Sequence, residues 1–378
     1  MKKILAMLLL VSMIFALVAC GEPAKTEEPA AEAPAEEPAE EAPAEEVPAE
    51  EPAEEAPAEE EPAEEPAEET AAEGEYKLGM GISLNMDSSK AGNAQVDATT
   101  AAVVLDAEGK IVAVKIDVAQ NKMDITDGEV DTEKEFLTKA ELGDDYNMVK
   151  FSDATLEWYQ QAANFEQYII GLTGDEVANI PTVQDGEHTV AADEELHASC
   201  SISIADFQEA VVKACNDEQG MSFAADGPFT LGLAINSTAA ESTAAGDEDG
   251  VVKMYSEFGA VVLDENGVIL AALTDATQPQ IKIDTDGEIV ETIFNGTKRE
   301  LKEGYNMVAF SDATLEWYQQ AWNFVQYALG KTAEELRATE TVEDGEHTVF
   351  ADEELHASCS ISIQGMINVL AKAADNAA

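Results

Sequence analysis

Glu194-Glu195-Leu196-His197-Ala198-Ser199-Cys200-Ser201-Ile202-Ser203-Ile204 recurs residue for residue at 353–363. The stretch gathers a histidine, a thiol and three alternating hydroxyls, Ser199, Ser201 and Ser203, with Ser358, Ser360 and Ser362 as counterparts. Two chemistries follow from the residue types alone. His188, His197 and Cys200, repeated as His347, His356 and Cys359, are types that hold zinc. Only His197 and Cys200 have helix-like or tight-loop spacing, and Glu187 or Glu195 would have to complete the set. The histidines are therefore read as satisfied polar groups. A serine or cysteine nucleophile served by His197 has no identifiable carboxylate partner, and no G-x-S-x-G elbow is present.

The duplication extends well beyond this stretch. YNMVKFSDATLEWYQQAANFEQYIIG at 146–171 matches YNMVAFSDATLEWYQQAWNFVQYALG at 305–330, and the match runs without a gap to Ile204 and Ile363. So long a period indicates duplicated domains rather than a solenoid, whose units are shorter.

Upstream, 101–119 and 259–277 each read as strand, turn, strand. The turns fall at Ala107-Glu108-Gly109 and Glu265-Asn266-Gly267, the Asn-Gly pair being the stronger hairpin signal. A further short strand, MDIT or IKID, ends at Asp127-Gly128 or Asp286-Gly287. Then the period changes. A helix is expected over SDATLEWYQQAANFEQYIIG, with Ser152 and Asp153 as candidate N-caps and Gly171 as the C′ residue. Its stripe is expected at Leu156, Tyr159, Ala163 and Ile170, with Trp158 beside it. A short helix, TGDEVAN or TAEELRA, follows, then the duplicated stretch, then the helix DFQEAVVKAC or GMINVLAKAAD. Strands first and helices after imply an α+β fold: two tandem homologous domains, each an antiparallel sheet packed with helices, at 76–220 and 221–378.

A resemblance adds a third chemistry. The paired-strand start, then Glu157-Trp158, Gln161-Ala162, Phe165, Tyr168, Gly171 and Thr173, then the serine-rich stretch feeding an apolar helix, resembles the FMN-binding domain family. That family includes flavinylated lipoproteins of extracellular electron transfer and a subunit of a sodium-pumping quinone reductase. It carries FMN as a phosphoester on a hydroxyl in a motif close to D-x-x-S-G-A-T-x-S/T. Residues 195–203 and 354–362 lie over that motif, with Ser for Thr, Ser for Gly, Cys for Ala and Glu for Asp.

The resemblance implies acceptor hydroxyls at Ser201 and Ser360, with Ser199 and Ser358, and Ser203 and Ser362, as the neighbouring hydroxyls. Small neighbours such as Ala198 let a phosphate approach the backbone. The helix beginning near Asp206 or Gly365 is expected to point free N–H groups at it, Asp206 opposing this in the first copy. Trp158, Tyr159, Trp317, Tyr318 and, in the second copy alone, Trp322 are candidates to wall the flavin ring. Core residues of an amphipathic helix are the competing and favoured reading. Met148 and Met307 are read as packing.

The ends of the chain suggest a place for such a device. Lys2 and Lys3 precede an apolar run at 4–18, and Leu17-Val18-Ala19-Cys20 reads as a lipobox. Residues 1–20 are thus expected to be a lipoprotein signal peptide, leaving Cys20 as the lipidated N-terminus. Residues 21–75 repeat PAEE and APAEE, a disordered tether that proline and mutual Glu repulsion keep extended. At about 3 Å per residue it reaches on the order of 150 Å. The formal net charge of −58 makes nucleic acid and anionic lipid headgroups poor partners. Cys200, Cys215 and Cys359, with Cys20 lipidated, do not form a disulfide framework.

Two functions are carried forward from sequence. The first is a membrane-anchored, extracytoplasmic flavoprotein with covalent FMN, an electron carrier more than an enzyme. Its partners would be membrane lipid through Cys20, a flavin transferase, a membrane quinone-linked electron donor and an external electron acceptor. The alternative is a surface-tethered binding or structural lipoprotein that keeps the fold without flavin.

Overall fold

Three long strands open the described part of the chain: Gly74–Asn85, Asn93–Leu105 and Ile111–Asp124. They form an antiparallel meander in which Gly81 faces Ala101 and Ala102 faces Lys115. The computed structural model describes residues 74–186, 188–345 and 347–377. Cys20, the signal segment and nearly all of the tether lie outside the described residues. Gly74 and Glu75, counted with the tether from sequence, already belong to the first strand.

The fold is α+β, with antiparallel sheets covered by helices. In the second copy the strands Phe229–Thr238, Tyr255–Asp264 and Ile269–Thr277 form an antiparallel sheet in the order last, middle, first. Both hairpin turns fall where the sequence puts them. Gly109 and Gly267 take φ of 77° and 75°, and Asp106 and Asp264 accept backbone N–H bonds across the turn.

The copies diverge at the further short strand expected after the hairpin. In the first, Met123 and Asp124 simply prolong the strand from Ile111. In the second, Gln280–Ile283 is a separate strand, paired with Gly250–Lys253 and Ile289–Ile293. Pro279 accounts for the break, because it has no N–H to give the ladder.

The stretch from Ala101 to Leu105 is buried at every residue rather than at alternate ones. Such a run needs cover on both faces of the sheet. One cover is the helix Ala205–Cys215, and the helix Gln364–Asp375 has the same place in the second copy. These helices press close: a Cβ on Gly79 would stand 2.0 Å from the Ala214 carbonyl oxygen, and one on Gly232 1.9 Å from that of Ala373. The other cover is the partner copy. One continuous core joins Leu78, Met80 and Val104 with Phe258, Val261 and Phe324, and the described residues fall in one compact unit.

Further ties cross between the copies. Met221–Ala225, which sequence places at the head of the second domain, pairs back onto the first strand, Met221 opposite Leu78. Lys213 meets Glu300 at 3.3 Å and Lys372 meets Glu141 at 2.5 Å. These pairs are reciprocal, each lysine and each glutamate being the duplicate of the other. Arg299 adds an unreciprocated tie to Asp217 at 3.0 Å.

Candidate functional site

The helix Trp158–Ile169 is the scaffold of the site, and Trp317–Ala328 is its duplicate. Its start differs from the sequence expectation. The cap is Glu157, in a capping box with Gln160, whereas Ser152 closes the preceding turn Met148–Phe151. The buried stripe is also rotated: Trp158, Gln161, Ala162, Phe165 and Ile169 face inward, while Tyr159 and Ala163 are exposed. Gly171 does take the expected positive φ beyond the helix end.

Glu157 does more than cap its own helix. Its carboxylate accepts from the Met148 N–H at 2.7 Å and the Val149 N–H at 3.3 Å. It therefore caps the Met148 turn as well, entered through Asn147 at φ 58°. Glu316 repeats this on Met307 and Val308.

The duplicated stretch folds as a short helix, Glu194–Ser199, followed by a loop. Asp193 starts it by accepting from the Glu195 and Leu196 N–H groups. Leu196 and Cys200 then turn inward, fixing which residues of the loop face out. Burial pushes both the Cys200 and the Cys359 thiol up to about 12, so neither presents a thiolate at neutral pH. Cys200, Cys215 and Cys359 are free thiols.

The three serines have different surroundings. Ser199 turns its hydroxyl back to the Leu196 carbonyl at 3.1 Å, and Ser358 does so to Leu355 at 2.8 Å. Ser203 donates to the Thr189 carbonyl while accepting from the Thr189 N–H, and Ser362 accepts from the Thr348 N–H. Both are half-buried. Ser201 and Ser360 are exposed. The Ser201 hydroxyl donates to Gln161 Oε1 at 3.1 Å, and its N–H donates to the same oxygen at 2.8 Å. Ser360 makes the same two bonds to Gln320, at 3.1 and 2.7 Å.

Gln161 is 1% exposed, and its own amide is held by the Leu156 carbonyl at 2.9 Å and Met148 Sδ at 3.2 Å. Asn164, one turn along the helix, donates to the Ser199 carbonyl at 2.8 Å, as Asn323 does to Ser358. The two duplicated segments are thus one unit, the helix gripping the serine loop through Gln161 and Asn164. Sequence reasoning gave neither residue a role in the site: Gln161 entered only among the residues of the resemblance, and Asn164 not at all. The signal was a glutamine repeated at helical spacing from an inward tryptophan. Met148 and Met307, read as packing, also brace these glutamines.

Trp158 and Trp317 are buried, so neither indole face is open to a ring. Lys139 lies over Trp158 and Tyr146, and Lys298 over Trp317, Tyr255 and Tyr305 at 4.9–5.2 Å. Burial pulls the Lys298 ammonium down to about 8. Tyr159 and Trp322 are exposed, and Tyr318 donates to Glu303.

The following helices begin at Ala205 and Gln364, and their ends are not free for an anion. In the first copy Asp206 stands there beside Lys139. In the second a Cβ on Gly365 would lie 2.1 Å from the Glu257 carboxylate. The acid has moved from helix to strand, Glu257 replacing Thr99 as Gly365 replaces Asp206.

Among the described residues no group of three or more His, Cys, Asp and Glu has the geometry to hold a metal. Nδ1 of His197 is buried without a hydrogen-bond partner, contrary to the expectation of satisfied histidines. Among the described residues no helix is long and apolar enough to cross a membrane. Compared with family models, curated proteins and solved structures, the chain matches none.

Proposed function

We propose that this chain is a lipid-anchored, extracytoplasmic flavin carrier, with FMN esterified to Ser201 and Ser360. The observation that carries the reading is the paired geometry. Of the three serines in each duplicated stretch, only the middle one is exposed, and in both copies a buried glutamine fixes its position. Glutamine has no useful basicity, so it orients the hydroxyl, and the proton must leave to the attaching enzyme.

Attachment would form a bond between the serine oxygen and the flavin-side phosphorus of FAD. The pyrophosphate bond breaks, AMP departs, and the hydroxyl proton is released. A separate flavin transferase supplies that chemistry. Carboxylates at the helix ends make a non-covalent phosphate cradle there unfavourable, so the ester holds a cofactor that local charge would expel. Once attached, flavin supplies reversible electron transfer, and the protein supplies attachment, orientation and exposure.

On this reading Cys20 carries the membrane lipid, and the acidic tether of 21–75 raises the effective concentration of two flavins at the membrane. The electron donor is a membrane quinone-linked protein, and the acceptor is external.

The test is coexpression of the full chain with a flavin transferase, followed by intact mass and visible absorbance of denatured protein. Two FMN additions are expected, with one lost in Ser201→Ala, one in Ser360→Ala and both in the double variant. A colourless wild type of polypeptide and lipid mass alone overturns the proposal and leaves a tethered binding or structural lipoprotein.

A further inference from the structure

Phe151 and Phe310 are 78% and 87% exposed, the highest values among the exposed large apolar residues described. A single exposed phenylalanine needs no explanation. These two sit at duplicate positions, and neither lies on a loose loop. The Phe151 N–H donates to the Asn147 carbonyl, and the Ser152 hydroxyl and N–H both close on the Met148 carbonyl. Ser311 closes on Met307 in the same way beneath Phe310. With Glu157 or Glu316 capping the other end, each turn holds its ring outward.

Each turn is also tied to the candidate acceptor. Gln161 joins Met148 Sδ at 3.2 Å to the Ser201 hydroxyl at 3.1 Å. Across one planar amide, that places the sulfur within about 9 Å of the serine oxygen. Gln320 links Met307 and Ser360 alike. Each exposed serine is therefore linked through its glutamine to a braced turn carrying an exposed phenylalanine and an exposed valine, Val149 or Val308, and in the first copy the Lys150 ammonium lies over the Phe151 ring, 4.9 Å from its centroid. The position between valine and phenylalanine has changed from Lys150 to Ala309, yet both apolar residues stay.

We propose that Phe151 and Phe310 are the stacking faces for the planar ring of a cofactor esterified at Ser201 and Ser360. The inference rests on the covalent-FMN reading and assigns it ring contacts that the buried tryptophans cannot provide. A ring on a short phosphoester arm is a chemically matched occupant: planar, apolar on its faces and tethered within reach. Stacking would cover phenylalanine and flavin face together while leaving the ring edge open to partners.

The test uses full-length protein coexpressed with a flavin transferase, with loading checked by intact mass. Iodide quenching of flavin fluorescence and visible circular dichroism are compared in wild type, Phe151→Ala/Phe310→Ala, and Val290→Ala as an exposed control. The double variant should quench several-fold more readily and lose most of its visible dichroism, with the control unchanged. Phe151→Trp/Phe310→Trp should restore the dichroism and dim the flavin's own fluorescence. A fully loaded double variant matching wild type overturns the stacking and leaves the covalent reading intact. A double variant left unloaded beside a loaded wild type assigns the phenylalanines to transferase contact and also overturns it. An unloaded wild type overturns both.

Discussion

Gln161 and Gln320 hold more of the site together than the serines do. Each carboxamide oxygen takes two donors from its serine, and each amide nitrogen serves a carbonyl and a methionine sulfur. Removing the side chain orphans a backbone N–H and a carbonyl at once. Gln161→Ala should therefore cost about 1–3 kcal/mol, whereas Ser201→Ala, at an exposed hydroxyl, should cost under about 1 kcal/mol. Urea midpoints of the two variants check this, and equal losses would mean that Ser201 is itself structural. The serines were legible because alternating hydroxyls in a duplicated stretch draw the eye to chemistry. Gln161 was not, because a polar residue on a buried helix face carries no hydrophobic period. The exposed Phe151 was hidden for the converse reason: an aromatic in sequence reads as core.

At the scale of elements, the strand pair and the helices after it were legible, while the first strand, the hairpin of Thr182–Asp185 with His188–Ala191, and the faces and ends of the helices were not. The Trp158 helix begins after the expected caps because Ser152 is used by the turn before it, and Glu157 is the residue free to cap. Its inward stripe passes through Gln161, so a purely apolar stripe had to be placed elsewhere. One position on this helix carries a pH signature. Glu166 accepts from the Ile116 N–H at 2.5 Å, and burial raises its carboxyl to about 7, against a partial opposing pull from Lys115. Its counterpart, Val325, is buried.

The folded state thus keeps a proton on Glu166 that the unfolded chain sheds near 4.5. The associated stability is fully present below that pH and is lost as pH rises through about 7. Glu166→Gln should remove this slope and stabilise the protein at pH 8 by on the order of 2 kcal/mol, allowing for partial exposure. Thermal melts from pH 4.5 to 8 provide the measurement. A variant that melts in parallel with wild type throughout would show that Glu166 ionises normally.

At the scale of the whole molecule, the period predicted two units, and the structure shows two copies sharing one core. Nothing in a single copy's sequence marks which apolar strand face meets solvent and which meets its duplicate. The cross-ties differ in weight. Arg299 and Asp217 have side chains 9% exposed, and the guanidinium donates to both carboxylate oxygens and to the Gln219 carbonyl. Lys302 and Glu218 pair in the open. Arg299→Ala should cost about 3 kcal/mol by leaving a buried carboxylate short of its partner, and Lys302→Ala no more than about 0.5 kcal/mol. Similar denaturant midpoints for the two would show the buried pair to be energetically idle. The return of Met221–Ala225 onto the first strand also governs how this chain can be divided. A first half ending before Met221 would bare the hydrogen-bonding edge from Gly74 to Leu78 and invite self-association. The seam that spares that edge lies at Asp226-Gly227-Pro228, and even a cut there would open the apolar wall each half lends the other.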